Sequence, residues 1–260
     1  MKFQDKVVLV TGAAGAIGKG VAQRFCEQGA KVFITDLDQG KIDACCAEFA
    51  KAGFTCKGLA ADVTNFTQTQ AVIEKTKQSF GGNIDVLVNV AGAVAQGPVE
   101  DIDDKAWNLM FDVNCKGTFY FIKQVVPLMK AQKFGRIINY SSKSGKTGSA
   151  LMSHYSAAKA AIIGFTQALA FELADFGITV NCVCPGITDN TGVWTNVSAG
   201  YIENMKMERQ AIIDKFTAKI PLKRLASIED VVAVTAFLAS SGASYMTGQA
   251  INITGGREMH

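Results

Sequence analysis

Short runs of β-branched and aliphatic residues alternate with longer helical stretches along the whole chain, and this rhythm constrains the fold more than any other feature. KVVLVT ends at Thr11, KVFIT at Thr35, IDVLVN at Asn89, GRIINYSS at Ser142 and ITVNCVC at Cys184. A weaker run, TCKGLAAD, ends at Asp62, and QAINIT closes the series at Thr254. Between them the pattern predicts helices over 16–29, 38–52, 66–80, 104–132, 153–176 and 227–240. Strands that are apolar throughout are covered on both faces, and strands separated by helices pair in parallel.

Right-handed crossovers wind such units into a three-layer α/β/α architecture. The expectation is an α/β, Rossmann-like doubly wound parallel sheet, a single domain over residues 1–260. The chain is 48% hydrophobic and 19% charged, which supports a packed core and excludes disorder. A net charge of +3 with no basic stripe argues against nucleic acid as a partner. No apolar stretch approaches the roughly 20 residues of a membrane span, so no membrane partner is expected. Seven scattered cysteines without a CxxC pair, and only two histidines, give no metal-ligand spacing. Their odd number fits reduced thiols, the first strand begins at once so no leader segment is expected, and a cytoplasmic protein is the expectation.

One stretch breaks the rhythm. Residues 187–226 separate the sixth strand from the next helix, far more than such connections need. Ligands of open α/β sheets sit beyond the carboxyl ends of the strands, where this excursion departs. It reads as a substrate lid, with Trp194, Met205 and Met207 as its apolar wall; the plainer alternative is a helical pair that only covers core.

After the first strand comes Thr11-Gly12-Ala13-Ala14-Gly15-Ala16-Ile17-Gly18, which opens a helix. Glycines let the backbone turn tightly beneath a pyrophosphate, and the helix N-terminus favours its charge. The second strand ends at Asp36, 18 residues after Gly18. A carboxylate there accepts hydrogen bonds from ribose hydroxyls and repels a 2′-phosphate, so NAD is the expected cofactor. Asp36 also reads as a helix cap, which is compatible with that role.

Tyr155 and Lys159 are four apart at a helix start, on one face. A phenol with a pKa of about 10 is a poor base near neutrality. An ammonium about 4 Å away, at an effective dielectric of about 20, is worth about 4 kcal/mol, enough to bring the phenol to about 7. The spacing therefore suits a phenolate that takes an alcohol proton. Ser141 and Ser142 end the fifth strand on the same sheet edge as the glycine turn.

In this combination the chain resembles the short-chain dehydrogenase/reductase family over essentially its whole length. The glycine turn is matched by Thr11, Gly12 and Gly18, the adenine contact by Asp62-Val63, and the Asn-Asn-Ala-Gly element by Asn89-Val90-Ala91-Gly92. Pro185-Gly186 and the ending TGQAINITGG follow in order. The resemblance implies Asn114, Ser142, Tyr155 and Lys159 as the catalytic set. Tyr155 would move the hydroxyl proton, Ser142 would bond the reacting oxygen, Lys159 would lower the tyrosine pKa and bind the nicotinamide ribose, and Asn114 would hold a water. It further implies a cofactor site built from Gly12, Gly15, Ile17, Gly18, Asp36, Leu37, Asp62, Val63, Asn89, Ala91, Gly92, Tyr155, Lys159, Pro185, Gly186 and Thr188. The departures are Ala16 for the middle glycine, Val90 for the second asparagine, and Asn190 for the threonine after Pro-Gly.

Within the family, SKSGK, the tail ITGGREMH and Trp194 resemble sugar-alcohol dehydrogenases, those acting on sorbitol 6-phosphate foremost and acetoin/2,3-butanediol enzymes next. Ser144, Asn190 and Trp194 are the expected substrate contacts, with Thr191, Thr195, Asn196 and Ser198 as further polar groups. Lys143 and Lys146 are either phosphate contacts or solvated surface charges. A non-catalytic NAD-binding sensor is the reading from another class, and the retained tyrosine and lysine count against it. The helix from Tyr155 to Phe171 is apolar on all sides save Lys159, so one side faces the sheet and the other a second subunit. The resemblance implies a homotetramer.

Overall fold

A computed structural model describes residues 3–259 apart from 193, 196–201, 203–205 and 207. Seven parallel strands form one sheet in the order β3-β2-β1-β4-β5-β6-β7. They are β1 (Val7–Thr11), β2 (Lys31–Thr35), β3 (Cys56–Gly58), β4 (Val86–Asn89), β5 (Gly135–Tyr140), β6 (Ile178–Pro185) and β7 (Ala250–Ile253). The order reverses direction between β1 and β4, which opens a crevice at their carboxyl ends. The weak run at 55–62 yields only the three-residue edge strand β3.

Every residue of β1 is buried, as the unbroken apolar run requires. Its side chains still alternate between two cores. Val8 and Val10 meet Val21 and Phe25 of α1 (Ala16–Glu27), Ile42 and Phe49 of α2 (Gln39–Lys51), and Val231 and Leu238 of α9 (Ile228–Ala239). Val7 and Leu9 face Val72 and Ile73 of α3 (Phe66–Phe80), Phe121 and Val125 of α5 (Gly117–Gln132), and Leu169 and Leu173 of α7 (Ser153–Leu173). Helix starts follow local chemistry. Asp38 caps α2, Asn65 caps α3 and Asp103 caps α4 (Asp104–Phe111), each by accepting from a backbone amide three residues on.

Two expectations change. The helix expected over 104–132 is broken: α4 passes at Asp112–Lys116 into a wide π turn before α5 begins. A single extra residue per turn leaves apolar periodicity almost untouched, so the sequence hides it. No membrane-length helix was expected, yet Ser153–Phe176 is long and apolar enough to cross one. It lies against β5, β6 and the short α6 (Lys143–Thr147), and serves as a core helix of the sheet.

The excursion after β6 leaves and returns at one point. Thr188 and Ala226 form a parallel bridge, Asp189 N donates to Ala226 O at 2.9 Å, and Ala226 N donates to Ile187 O at 3.0 Å. Within it lies α8 (Arg209–Thr217). Met205, Met207, Asn196 and Ser198 fall outside the described residues.

Candidate active site

Strand register assembles the site. Thr11 pairs with Thr35 on one side and Asn89 on the other, and Asn89 pairs with Asn139. The ends of β2, β1, β4 and β5 thus lie in line, and the segments that follow them share one edge.

Gly12 has φ +66°, and a Cβ there would sit 2.7 Å from the Ala91 backbone; at Gly18 it would sit 2.2 Å from Gly12 O. The turn is therefore closed to larger residues at both places. Gly15 is less crowded, 3.4 Å from Gly12 O, and precedes an α1 start that no side chain caps. Ala16, in place of the middle glycine, is the first residue of α1. Ile17 packs on the first core and Thr11 Oγ1 accepts from Ala91 N at 3.1 Å. An uncapped helix N-terminus behind a glycine turn fits a dinucleotide pyrophosphate.

Asp36 lies beside this turn. Its Oδ2 accepts from Ala14 N and its Oδ1 from Leu37 N, at 2.9 and 2.8 Å, which fixes the carboxylate at the tip of β2. Leu37 is exposed. Asp62 Oδ1 accepts from both Thr64 N and Oγ1, and Val63 packs so closely on Gly117 that a Cβ there would come within 2.6 Å.

Asn89 is 2% exposed; its Nδ2 donates to Asn139 Oδ1 at 2.9 Å, and Asn139 Nδ2 donates to Thr166 Oγ1 at 3.0 Å. This chain ties β4, β5 and α7 beneath the site. Asn139 and Thr166 were missed from sequence, though a lone asparagine inside the apolar run of β5 was a usable signal.

The π turn buries Asn114. Its Nδ2 donates to Ala93 O and Met110 O at 3.0 and 2.9 Å, and its Oδ1 accepts from Ala93 N at 3.3 Å. Gly92 makes room for it: a Cβ there would lie 2.8 Å from Asn114 Oδ1 and 3.2 Å from Lys159 Nζ. Asn114, Gly92 and Lys159 therefore converge.

Tyr155 and Lys159 occupy one face of α7, both nearly buried. Their electrostatics differ from the simple pair. Lys159 Nζ donates to the Tyr140 carbonyl at 2.9 Å and sits 5.7 Å from the Tyr155 ring centre. Burial pushes the Tyr155 phenol above its usual pKa, and hydrogen bonding with Ser142 only partly opposes it. Burial also lowers Lys159 to about 8. Desolvation of the phenol therefore outweighs the Ser142 hydrogen bond, while the Lys159 ammonium is directed at a backbone carbonyl. Ser142 caps α6, its Oγ accepting from Ser144 N at 3.2 Å.

Pro185 ends β6 and Gly186 follows it, its N donating to Ile253 O at 2.9 Å. Thr188 is buried, its Oγ1 donating to Gly186 O. Three of the residues expected at the substrate are placed as follows. Ser144 is buried against Ser149, at 2.8 Å between hydroxyls. Asn190 is exposed in the left-handed region (φ 56°) and bonds to its neighbour Asp189. Trp194 is 2% exposed and meets Phe216 edge to face at 6.1 Å, so it anchors the excursion rather than lining an open wall.

Residues 6–201 match the short chain dehydrogenase family. The chain is 38% identical over 263 residues, the full length of both, to galactitol 2-dehydrogenase of Agrobacterium fabrum. Its fold superposes on a single-substitution variant of actinorhodin polyketide ketoreductase with NADPH (TM-score 0.95, 34% identity, all of both chains). It also superposes on an NAD+-bound xylitol dehydrogenase (TM-score 0.93, 30% identity, 98% of this chain and all of that one). With the glycine turn, the buried asparagine and the Ser-Tyr-Lys face in their places, the chain belongs to the short-chain dehydrogenase/reductase family of oxidoreductases.

Proposed function

We propose that this enzyme interconverts a secondary alcohol and a ketone with NAD, and that its substrate is a sugar alcohol or ketose. The reading rests above all on Asp36, whose carboxylate is locked by the Ala14 and Leu37 amides where a 2′-phosphate would have to sit. Lys19, the first cation after the turn, is engaged with Glu48 at 2.6 Å. The galactitol and xylitol dehydrogenases support the polyol class. Small-ketone reduction of the acetoin/2,3-butanediol type is the second reading, and the ketoreductase similarity favours a ketone of some kind.

In this reading Asn89, Gly92, Gly186 and Thr188 border the nicotinamide end, and Asp36, Leu37, Asp62 and Val63 the adenosine end. A bound nicotinamide supplies the acceptor or donor of hydride. Tyr155 takes the hydroxyl proton in oxidation and returns it in reduction, and Ser142 holds the reacting oxygen. Lys159 is close enough to a neutral state, at about 8, to pass a proton onward, with Asn114 beside it. Tyr155→Phe should abolish turnover while retaining NAD binding; an active variant refutes the assignment.

The outer faces of the helices point to self-association. Phe171 is 89% exposed, and Trp107, Leu109 and Phe119 are each more than 40% exposed on α4 and α5. Large apolar side chains exposed on these helices call for a cover. We assign it to other copies of the chain, in a homotetramer checked by sedimentation. Seven free thiols fit a reducing, cytoplasmic setting.

The deciding assay is NAD against NADP reduction across galactitol, sorbitol, sorbitol 6-phosphate and 2,3-butanediol. NAD turnover led by one polyol supports the reading. A preference for NADP, or no alcohol turned over, overturns it.

A further inference from the structure

The C-terminal tail returns to the catalytic edge. After β7 it turns through Gly255 and Gly256, both with positive φ. Asn252 Nδ2 and Thr254 Oγ1 donate to Glu258 O, both at 3.1 Å, and Glu258 N donates back to Thr254 Oγ1 at 3.3 Å. Short loops closed by side chains in this way hold a residue firmly although it is third from the end.

The held residue presents its carboxylate to two cations. Glu258 Oε1 lies 3.3 Å from Arg257 Nε and 4.0 Å from Lys143 Nζ. The Glu258 side chain is only 8% exposed and that of Lys143 17%. Glu258 Oε2 is buried with no hydrogen-bond partner among the described residues. Lys143 directly follows Ser142 and opens α6. Arg257 lies over the Phe216 ring of α8 at 5.5 Å, and Phe216 in turn meets Trp194. Two tail residues therefore touch both the serine-bearing helix and the helix of the excursion.

The space between these groups decides what they do. The gap beside Lys143, Gly186, Ala226 and Glu258 measures about 10 Å³. That is room for about one water and none for a phosphate or a sugar. A cluster this closed is a clasp, not a subsite. A buried carboxylate also resists separation from its cations, because each would be left uncompensated.

We infer that Glu258 is a positioning residue, which fixes the start of α6 through Lys143 and thereby the orientation of the Ser142 hydroxyl. The inference rests on the proposed role of Ser142 in the reaction. Arg257 extends the same clasp to α8. The tail is thus part of the reaction machinery without touching substrate.

The test compares wild type with Glu258→Gln, Lys143→Met and Lys143→Arg. Glu229→Gln, which cuts the surface pair with Arg24, serves as the control. Hydrogen exchange of residues 142–148 is read in every protein, together with kcat and KM on the best alcohol substrate with NAD. Glu258→Gln and Lys143→Met should quicken exchange in that segment. They should lower kcat about tenfold or more, since small misplacements of a catalytic group are costly, while KM for NAD stays within about twofold. Lys143→Arg should restore both. Unchanged exchange in both charge-removing variants overturns the clasp, as does a lost kcat without faster exchange or an equal loss in Glu229→Gln. If the wild type turns over no alcohol, the proposed function fails, and exchange alone then decides the clasp.

Discussion

Replacing Lys159 with methionine should make the cofactor-free protein no less stable at neutral pH while ending its activity. Lys159 is 5% exposed, and burial lowers its pKa from 10.5 to about 8. A lowering of that size corresponds to about 3 kcal/mol of penalty on the charged form. Methionine escapes that penalty but leaves the Tyr140 carbonyl without its 2.9 Å donor, which costs about 1–3 kcal/mol. The variant should therefore match or exceed wild type by about 1 kcal/mol near pH 7, a gain of roughly 2–4 °C for a chain of this size. The pH dependence is the sharper signature. Because the folded pKa lies below the unfolded one, the unfolded wild type binds more protons between about pH 8 and 10.4, and its stability rises with pH across that window. Methionine lacks this dependence. Urea unfolding of both proteins at pH 7.5 and 9.5 should show wild type gaining about 2 kcal/mol on the variant. Groups common to both proteins cancel in the difference. A gap that does not move with pH would refute the argument that Lys159 is held at a cost.

Three further outcomes follow from the same geometry. Asp36→Ala should narrow the preference for NAD over NADP by about tenfold or more in kcat/KM, since it removes both the ribose acceptor and the repulsion of a 2′-phosphate. Gly92→Ala places a methyl 2.8 Å from Asn114 Oδ1 and should lower kcat about a hundredfold, and a fully active variant would show that Asn114 and Lys159 tolerate displacement. Asn139→Leu orphans Asn89 Nδ2 and removes the donor to Thr166, and urea unfolding should show a loss of about 2–4 kcal/mol.

Much of this molecule is legible in its sequence because its strands are buried on both faces and announce themselves as unbroken apolar runs. Several of the helices between them are also readable to within a residue or two: 66–80 is Phe66–Phe80, and 227–240 is Ile228–Ala239. The wide turn at Asp112–Lys116 is not, because it changes the path of the chain without changing its composition. Tyr155 and Lys159 could be placed on one helix face by spacing, but not the carbonyl to which the ammonium turns. Tyr140 lies on another element, and its acceptor is backbone. Asp36 stands out in the sequence as a carboxylate at the end of the second strand, but its hold on the Ala14 amide of the glycine turn depends on a contact across 22 residues. Glu258 and Lys143 show the limit most plainly: no periodicity links positions 115 residues apart.

The closed base of the excursion bears on how such a chain can diversify. Residues 187–189 and 226 are stitched to one another by two backbone hydrogen bonds, and Leu222 N donates to Gly255 O just beyond β7, so the intervening stretch is joined to the sheet edge mainly near its ends. Doubling the length of a loop whose ends are already joined costs only about 0.6 kcal/mol. Residues of the stretch away from Phe216 and Leu222 can therefore be lengthened or rewritten at small entropic expense to the sheet they leave.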